Sequence, residues 1–164
     1  MIRFVQGNLL EAPAEAIVNT VNTVGVMGKG LALMFKNAFP QNYLRYSEAC
    51  KRKDVQIGRM FVTENLMLDG PRWIINFPTK EHWRNPSKLQ WVIDGLQDLR
   101  HVIEVNGIGS IAVPPLGCGN GGLDWALVRP KIEHALGNLP NVDVLVFGPA
   151  ADYKNDTNSK RIQP

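Results

Sequence analysis

The chain predicts an α/β protein in three layers, with helices packed on both faces of a central mixed β-sheet. Three observations carry this expectation. Short apolar β-like runs alternate with longer amphipathic segments along most of the 164 residues. Two of those runs lead into glycine-rich loops, Gly25-Val26-Met27-Gly28-Lys29-Gly30 and Gly117-Cys118-Gly119-Asn120-Gly121-Gly122. Helical character follows each loop, beginning near Lys29 and near Asp124.

Residues 2–6 and 16–20 read as short strands, the second a continuous run typical of a buried position. Helical patterning follows over 30–38, closed by Pro40, and again over roughly 42–52. Two β-like runs, 59–65 and 72–77, are separated by the turn signal Leu68-Asp69-Gly70-Pro71. Over about 87–106, apolar residues recur at Leu89, Val92, Ile93, Leu96, Leu99, Val102 and Ile103. That spacing is helical, and Ser87 after Pro86 is the expected N-cap. A strand at 110–114, a helix near 124–136 capped by Asp124, and a strand at 142–147 complete the order. One domain over 1–150 accounts for these elements, without an internal repeat. Residues 151–164 are polar and read as a surface tail or the start of a linker to a domain outside this sequence.

Composition narrows the function classes. Apolar residues make up 45% of the chain, yet no run approaches the ~20 apolar residues of a membrane span. The first residues, Met1-Ile2-Arg3-Phe4-Val5-Gln6, read as a strand and not a signal peptide, so a cytoplasmic location is expected. Two cysteines, Cys50 and Cys118, are too few for a disulfide framework or a zinc site, and no metal or cofactor is expected. A net charge of +3 permits an anionic partner without requiring one. A monomer is expected.

The glycine loops carry the first functional expectation. Glycine lets backbone N–H groups approach an anion, and a helix start behind them adds a favourable dipole. In α/β sheets ligands sit beyond the carboxyl ends of strands, where both loops fall. Two such loops point to a ligand with two phosphates. Lys29 does not make the first one a P-loop, because the G-x-x-x-x-G-K-[ST] spacing and its hydroxyl are missing. Lys29 either steers phosphate or begins a helix in solvent.

The chain resembles the macrodomain family. The carriers are Gly7-Asn8-Leu9, Ala16-Ile17-Val18-Asn19-Thr20-Val21-Asn22, the Gly25–Gly30 loop and Pro114-Pro115-Leu116-Gly117-Cys118-Gly119, over roughly residues 1–150. The resemblance implies a macrodomain fold and ADP-ribose as the two-phosphate ligand. The stretch Asn76-Phe77-Pro78-Thr79-Lys80-Glu81-His82-Trp83-Arg84 is similar to the branch containing the human terminal ADP-ribose protein glycohydrolase and the DarG antitoxins. In that branch a lysine here is catalytic. Similarity to the DarG type implies an enzyme that removes ADP-ribose from thymidine in single-stranded DNA, reversing a DarT-type toxin. It also implies a further C-terminal domain, absent from these 164 residues. One departure is Gly121, standing where the human enzyme carries a catalytic Asp. A second is Asn8, where many macrodomains hold the adenine amino group with an Asp; the Asn carbonyl also accepts.

Residue roles follow from the resemblance, each against a plainer alternative. Lys80 is the expected catalyst, either attacking the anomeric carbon or polarising the leaving base. Without the family it reads as a surface charge. Asn22 is expected at the ribose beside the scissile bond, and Asn19 at the ligand; alternatively both satisfy backbone groups of a loop. Gly7, Asn8 and Leu9, the residues of 25–30, Pro115, Leu116 and the residues of 117–122 are expected to line the ADP-ribose site, with Phe147 at its adenine end. His82, Trp83 and Arg84 read as an aromatic flanked by cations, suited to a stacked base and its phosphates; otherwise Trp83 is buried under the loop. Competing functions are hydrolysis of ADP-ribosyl esters on acidic protein side chains and non-catalytic reading of ADP-ribose.

Overall fold

A computed structural model describes residues 1–149, so the expectations for 151–164 lie outside the described residues. Six strands form one sheet: β1 (Ile2–Val5), β2 (Ala16–Asn22), β3 (Phe61–Glu64), β4 (Trp73–Lys80), β5 (Ser110–Val113) and β6 (Asp143–Phe147). Four α-helices accompany it: α1 (Gly30–Ala38), α2 (Pro40–Lys51), α3 (Leu89–Val105) and α4 (Trp125–Leu136). The strand order is β1-β6-β5-β2-β4-β3. All neighbours are parallel except the edge pair β3 and β4. The predicted mixed sheet is thus five parallel strands with one antiparallel edge.

Both faces of the sheet are covered, which explains why its strands read as continuous apolar runs. Side chains alternate between two cores. Ala16, Val18, Ile75, Phe77, Ile111, Val113, Val144 and Val146 pack under Val92, Leu96 and Leu99 of α3 and Val128 and Ile132 of α4. Their neighbours Ile17, Ile74, Ala112, Leu145 and Phe147 point the other way, onto Phe35 and Phe39. A third cluster joins Val21 and Met27 to Tyr46, Ala49 and Cys50 of α2. Gly95 lets α3 lie close to the sheet, because a Cβ there would overlap the Phe77 ring.

Among the differences between expected and observed element boundaries, three have a clear physical cause. Helix α2 starts at Pro40, because a proline at the first helical position loses only an N–H that has no intrahelical partner. Strand β4 runs three residues past Phe77, through Pro78, to Lys80. Strand β3 stops opposite Asn76, so one edge of β4 is open there and tolerates a proline. Ser87 does not cap α3: the N-cap is Lys88, without a side-chain cap bond. Asp124 caps α4 as expected, its Oδ1 accepting from Ala126 N at 3.0 Å. No helix among the described residues is long and apolar enough to cross a membrane.

Candidate active site

Strands β2 and β5 are adjacent and parallel, but the helices that follow them pack on opposite faces. The crevice between their carboxyl ends is therefore a topological switch point, where α/β sheets bind ligands. Both glycine loops lie there. A Cβ at Gly30 would be 3.6 Å from the Asn120 side-chain nitrogen, so the loops face each other closely.

The first loop is wound around one carboxamide. Asn22 Oδ1 accepts from the backbone N–H groups of Val24, Gly25 and Val26 at 3.1, 3.1 and 3.2 Å. Its Nδ2 donates to Val26 O at 2.8 Å. Gly25 takes φ +88°, a conformation that favours glycine. Val24 and Val26 are exposed, whereas Met27 is buried and pins the loop to the core beside Tyr46. The amides of Val24–Val26 thus point inward. The donors facing out are at the start of α1, whose N-cap residue Lys29 supplies no side-chain cap bond. Three unpartnered first-turn N–H groups at a helix start make an anion site.

The second loop is held by its own backbone. Leu123 N donates to Gly117 O at 2.9 Å, Gly122 N to Gly119 O at 3.2 Å, and Cys118 N to Pro115 O at 3.0 Å. Leu116 is fully buried and anchors the loop. Ser87 N donates to Gly121 O at 2.9 Å, tying the approach to α3 against this loop. The Ser87 Oγ is buried without a hydrogen-bond partner. A Cβ at Gly121 would overlap both that Oγ and Gly117 O. Gly121, where the resemblance would set an Asp, therefore has no room for a side chain here.

Lys80, expected in a loop, is the last residue of β4 and is paired with Asn22 across the sheet. Its Nζ donates to Trp83 O at 3.2 Å. Burial, then the charge of Lys29, holds its ammonium below the usual lysine range. The following turn is fixed by Thr23, whose N–H donates to Lys80 O at 3.1 Å and whose Oγ1 donates to Glu81 O at 2.8 Å. His82 and Trp83 stack at 5.1 Å between ring centroids, and Arg84 lies 4.6 Å from the Trp83 ring. Trp83 is 42% exposed, so it is not buried under the loop.

At the far end of the crevice, β1 and β6 end side by side with Val5 opposite Phe147. Phe147 and Leu9 are buried in the same core, and Gly7 takes φ +124°. Asn8 is exposed and caps the short 3-10 turn Leu9–Glu11, its Oδ1 accepting from Leu10 N at 3.0 Å.

Asn19, expected at the ligand, is instead fully buried. Its Nδ2 donates to Asn76 Oδ1 at 3.4 Å, and Asn76 exchanges bonds of 3.1 and 2.8 Å with Asn42. Thr63 completes this internal polar network by donating to Asn42 Oδ1 at 2.6 Å. The physical reason is strand alternation: Asn19 and Val21 share a face under α1 and α2. Sequence reasoning missed Ser87 in its loop-packing place, Thr23, and Tyr46. Tyr46 lies on α2, 24 residues from the Asn22 it bonds, and no local pattern signals that contact. Among the described residues no cluster of His, Cys, Asp or Glu is suited to a metal ion. A separate cleft of about 330 Å³, lined by Phe39, Asn42, Arg45, Thr63 and Met67 among others, lies toward the opposite end of β4.

The family model described as Macro domain matches residues 18–132. The chain is 58% identical over 154 residues to a protein of Thermus aquaticus called DNA ADP-ribosyl glycohydrolase, covering 94% of this chain and 43% of that protein. It therefore spans less than half the length of that curated relative. Among solved structures, the macrodomain of Mycobacterium tuberculosis DarG is 55% identical with a TM-score of 0.89, covering 91% of this chain and 98% of that one. Thermosipho africanus DarTG in complex with ADP-ribose is 34% identical with a TM-score of 0.86, covering 92% of this chain and 42% of that one. The two facing glycine loops at the sheet's switch point, the β4 lysine beside them and these matches together place the chain in the macrodomain family.

Proposed function

We propose that the protein is a cytoplasmic, monomeric hydrolase that releases ADP-ribose from thymidine bases in single-stranded DNA, acting as the antitoxin of a DarT-type ADP-ribosyltransferase. The observation that carries this reading is Lys80: a partly desolvated lysine at the end of β4, beside the glycine loops. A reader module has no need of such a group. The relative from Thermus aquaticus, by its name a DNA ADP-ribosyl glycohydrolase, supports the substrate class.

The diphosphate is held by the start of α1 on one side and the 117–122 loop on the other, with Lys29 adding charge. Adenine lies toward Asn8 and Phe147. The distal ribose sits near Lys80; the Asn22 carboxamide, expected to bond it, is instead taken up by Val24, Gly25, Val26 and Tyr46. A lowered pKa leaves more of Lys80 as the free amine at neutral pH, and its lone pair attacks the anomeric carbon. The bond to the thymine nitrogen breaks with its electron pair on the base, an imide that tolerates negative charge and then takes a proton from water. A second water displaces Lys80 and frees ADP-ribose. His82, Trp83 and Arg84 border Lys80 on the strand side, where a base and phosphates of the DNA are accommodated. The crowding at Gly121 weighs against ester hydrolysis of the human type, which uses an acid there.

The test compares wild type and Lys80→Ala on two substrates, an oligonucleotide ADP-ribosylated on thymidine and a protein ADP-ribosylated on glutamate. Release from DNA alone, lost in Lys80→Ala while ADP-ribose still binds, is the expected result. Tight ADP-ribose binding with neither substrate cleaved would make the chain a reader.

A further inference from the structure

Tyr46 on α2 has no part in the chemistry above, yet its hydroxyl is committed to the first loop. Tyr46 is fully buried, in the middle of a helix that otherwise packs against the third apolar cluster. Its hydroxyl lies 2.7 Å from Asn22 O and 2.8 Å from Asn22 Oδ1. A phenol has one hydrogen, so it is shared between the backbone and side-chain oxygens of one residue. Burial, with Cys50 beside it, keeps that proton on the oxygen well above the ordinary tyrosine range. Tyr46 is thus a permanent donor.

We propose that Tyr46 is a positioning residue for the anion site: by fixing both oxygens of Asn22 it sets the carboxamide around which residues 23–26 are wound, and so aims the start of α1 at the ligand. The proposal rests on the ADP-ribose reading given above. With the Tyr46 bond in place, Asn22 Oδ1 receives four donors, three of them consecutive loop amides. The turn is then closed by Nδ2 on Val26 O. Gly25 packs against the same stretch of α2, an added Cβ there being 3.4 Å from Cys50 Cβ and 3.7 Å from Ser47 Cα. Helix α2 therefore grips the loop at two points, one polar and one steric. Without the hydroxyl, Asn22 Oδ1 keeps its three amide donors but loses its tie to α2. The carboxamide and the turn wound on it are then held less firmly, and the amides of α1 lose part of their fixed direction. Because the diphosphate is bound alike in ground and transition states, such a loss raises KM and leaves kcat in place.

The experiment is Tyr46→Phe in the intact chain, a change that keeps the ring and its packing. Free ADP-ribose is titrated by calorimetry, and hydrolysis of a thymidine-ADP-ribosylated oligonucleotide is measured over a range of concentrations. Amide hydrogen exchange is followed at Val24–Val26 and, as a reference, in β5. The expected result is an ADP-ribose Kd and a KM about tenfold higher at unchanged stoichiometry and kcat, the loss of about one hydrogen bond's worth of affinity. Exchange at Val24–Val26 accelerates while β5 is unchanged. Unchanged Kd and KM overturn the proposal. So does a fall in stoichiometry and kcat at constant Kd and KM, which marks a purely structural role, and so does a variant that does not fold. Failure of wild type to bind ADP-ribose instead overturns the underlying functional reading, which separates the two.

Discussion

Replacing Gly121 with Asp supplies the acid that the resemblance to the human enzyme would place in the second loop, and here it should weaken binding. The first added atom, Cβ, already overlaps Gly117 O and Ser87 Oγ and lies 2.9 Å from Gly117 C. Two of these three atoms are backbone, so rotamer change cannot relieve them and the loop itself must move. Overpacking of this kind costs roughly 1–3 kcal/mol, which in a domain of this size lowers Tm by about 2–12 °C. In the proposed ADP-ribose site, displacing the loop would also remove hydrogen bonds to a charged ligand, each worth about 1.5–3 kcal/mol, so the loss of one would weaken ADP-ribose binding by about 10- to 150-fold. Gly121→Ala should show most of both effects, because the clash begins at Cβ and not at the carboxylate. Thermal unfolding and calorimetric titration with ADP-ribose measure the two. If Gly121→Asp kept wild-type Tm and Kd, the crowding by Ser87 and Gly117 would not constrain the loop, and the reason given for the missing acid would be wrong.

Other outcomes follow from the same contacts. If Lys80 attacks as the free amine, single-turnover cleavage rises with pH through its lowered pKa. Lys29→Ala removes a charge that lowers that pKa, so the rising limb should move to higher pH; a limb that falls with pH would assign Lys80 to charge stabilisation instead. Asp124→Ala removes the α4 cap bond and should lower stability by about 1 kcal/mol in denaturant titration, with little change in ADP-ribose affinity. Gly95→Ala drives a methyl into the Phe77 ring and should cost roughly 1–3 kcal/mol, read as a lower Tm.

What could be read from the sequence was what depends on local pattern. The run Ala16–Thr20 announced a strand buried on both faces, and the periodicity of Leu89–Ile103 announced the helix that covers one of them. The glycine loops and the Asp124 cap are also local, set by backbone conformation and by a bond two residues away. What escaped was decided by contacts far apart in the chain. Ser87 looked like a cap because it follows a proline, but its N–H is taken by Gly121 O from the second loop. Asn19 looked like a ligand contact because it follows apolar residues toward a glycine loop, but alternation turns it inward onto Asn76. The β-like run 72–77 ends before Pro78, yet β4 continues through it, because the shortness of β3 leaves an edge that accepts a proline.

The same contacts bear on why the proposed chemistry rests on one side chain. The only acid in the stretch 117–125 is Asp124, and its carboxylate is occupied at the helix cap. Gly121, the alternative place for an acid, cannot carry one. Among the described residues Lys80 enters no ion pair; its Nζ bonds a neutral carbonyl, and its close charged influence is another cation. A carboxylate beside it would favour the ammonium and raise the pKa, whereas burial and Lys29 favour the amine. A loop without room for an acid and a lysine whose ammonium is held below its usual range are therefore two sides of one arrangement. Restoring the acid by mutation would raise the pKa of Lys80, the group proposed to react, and so would work against its free amine.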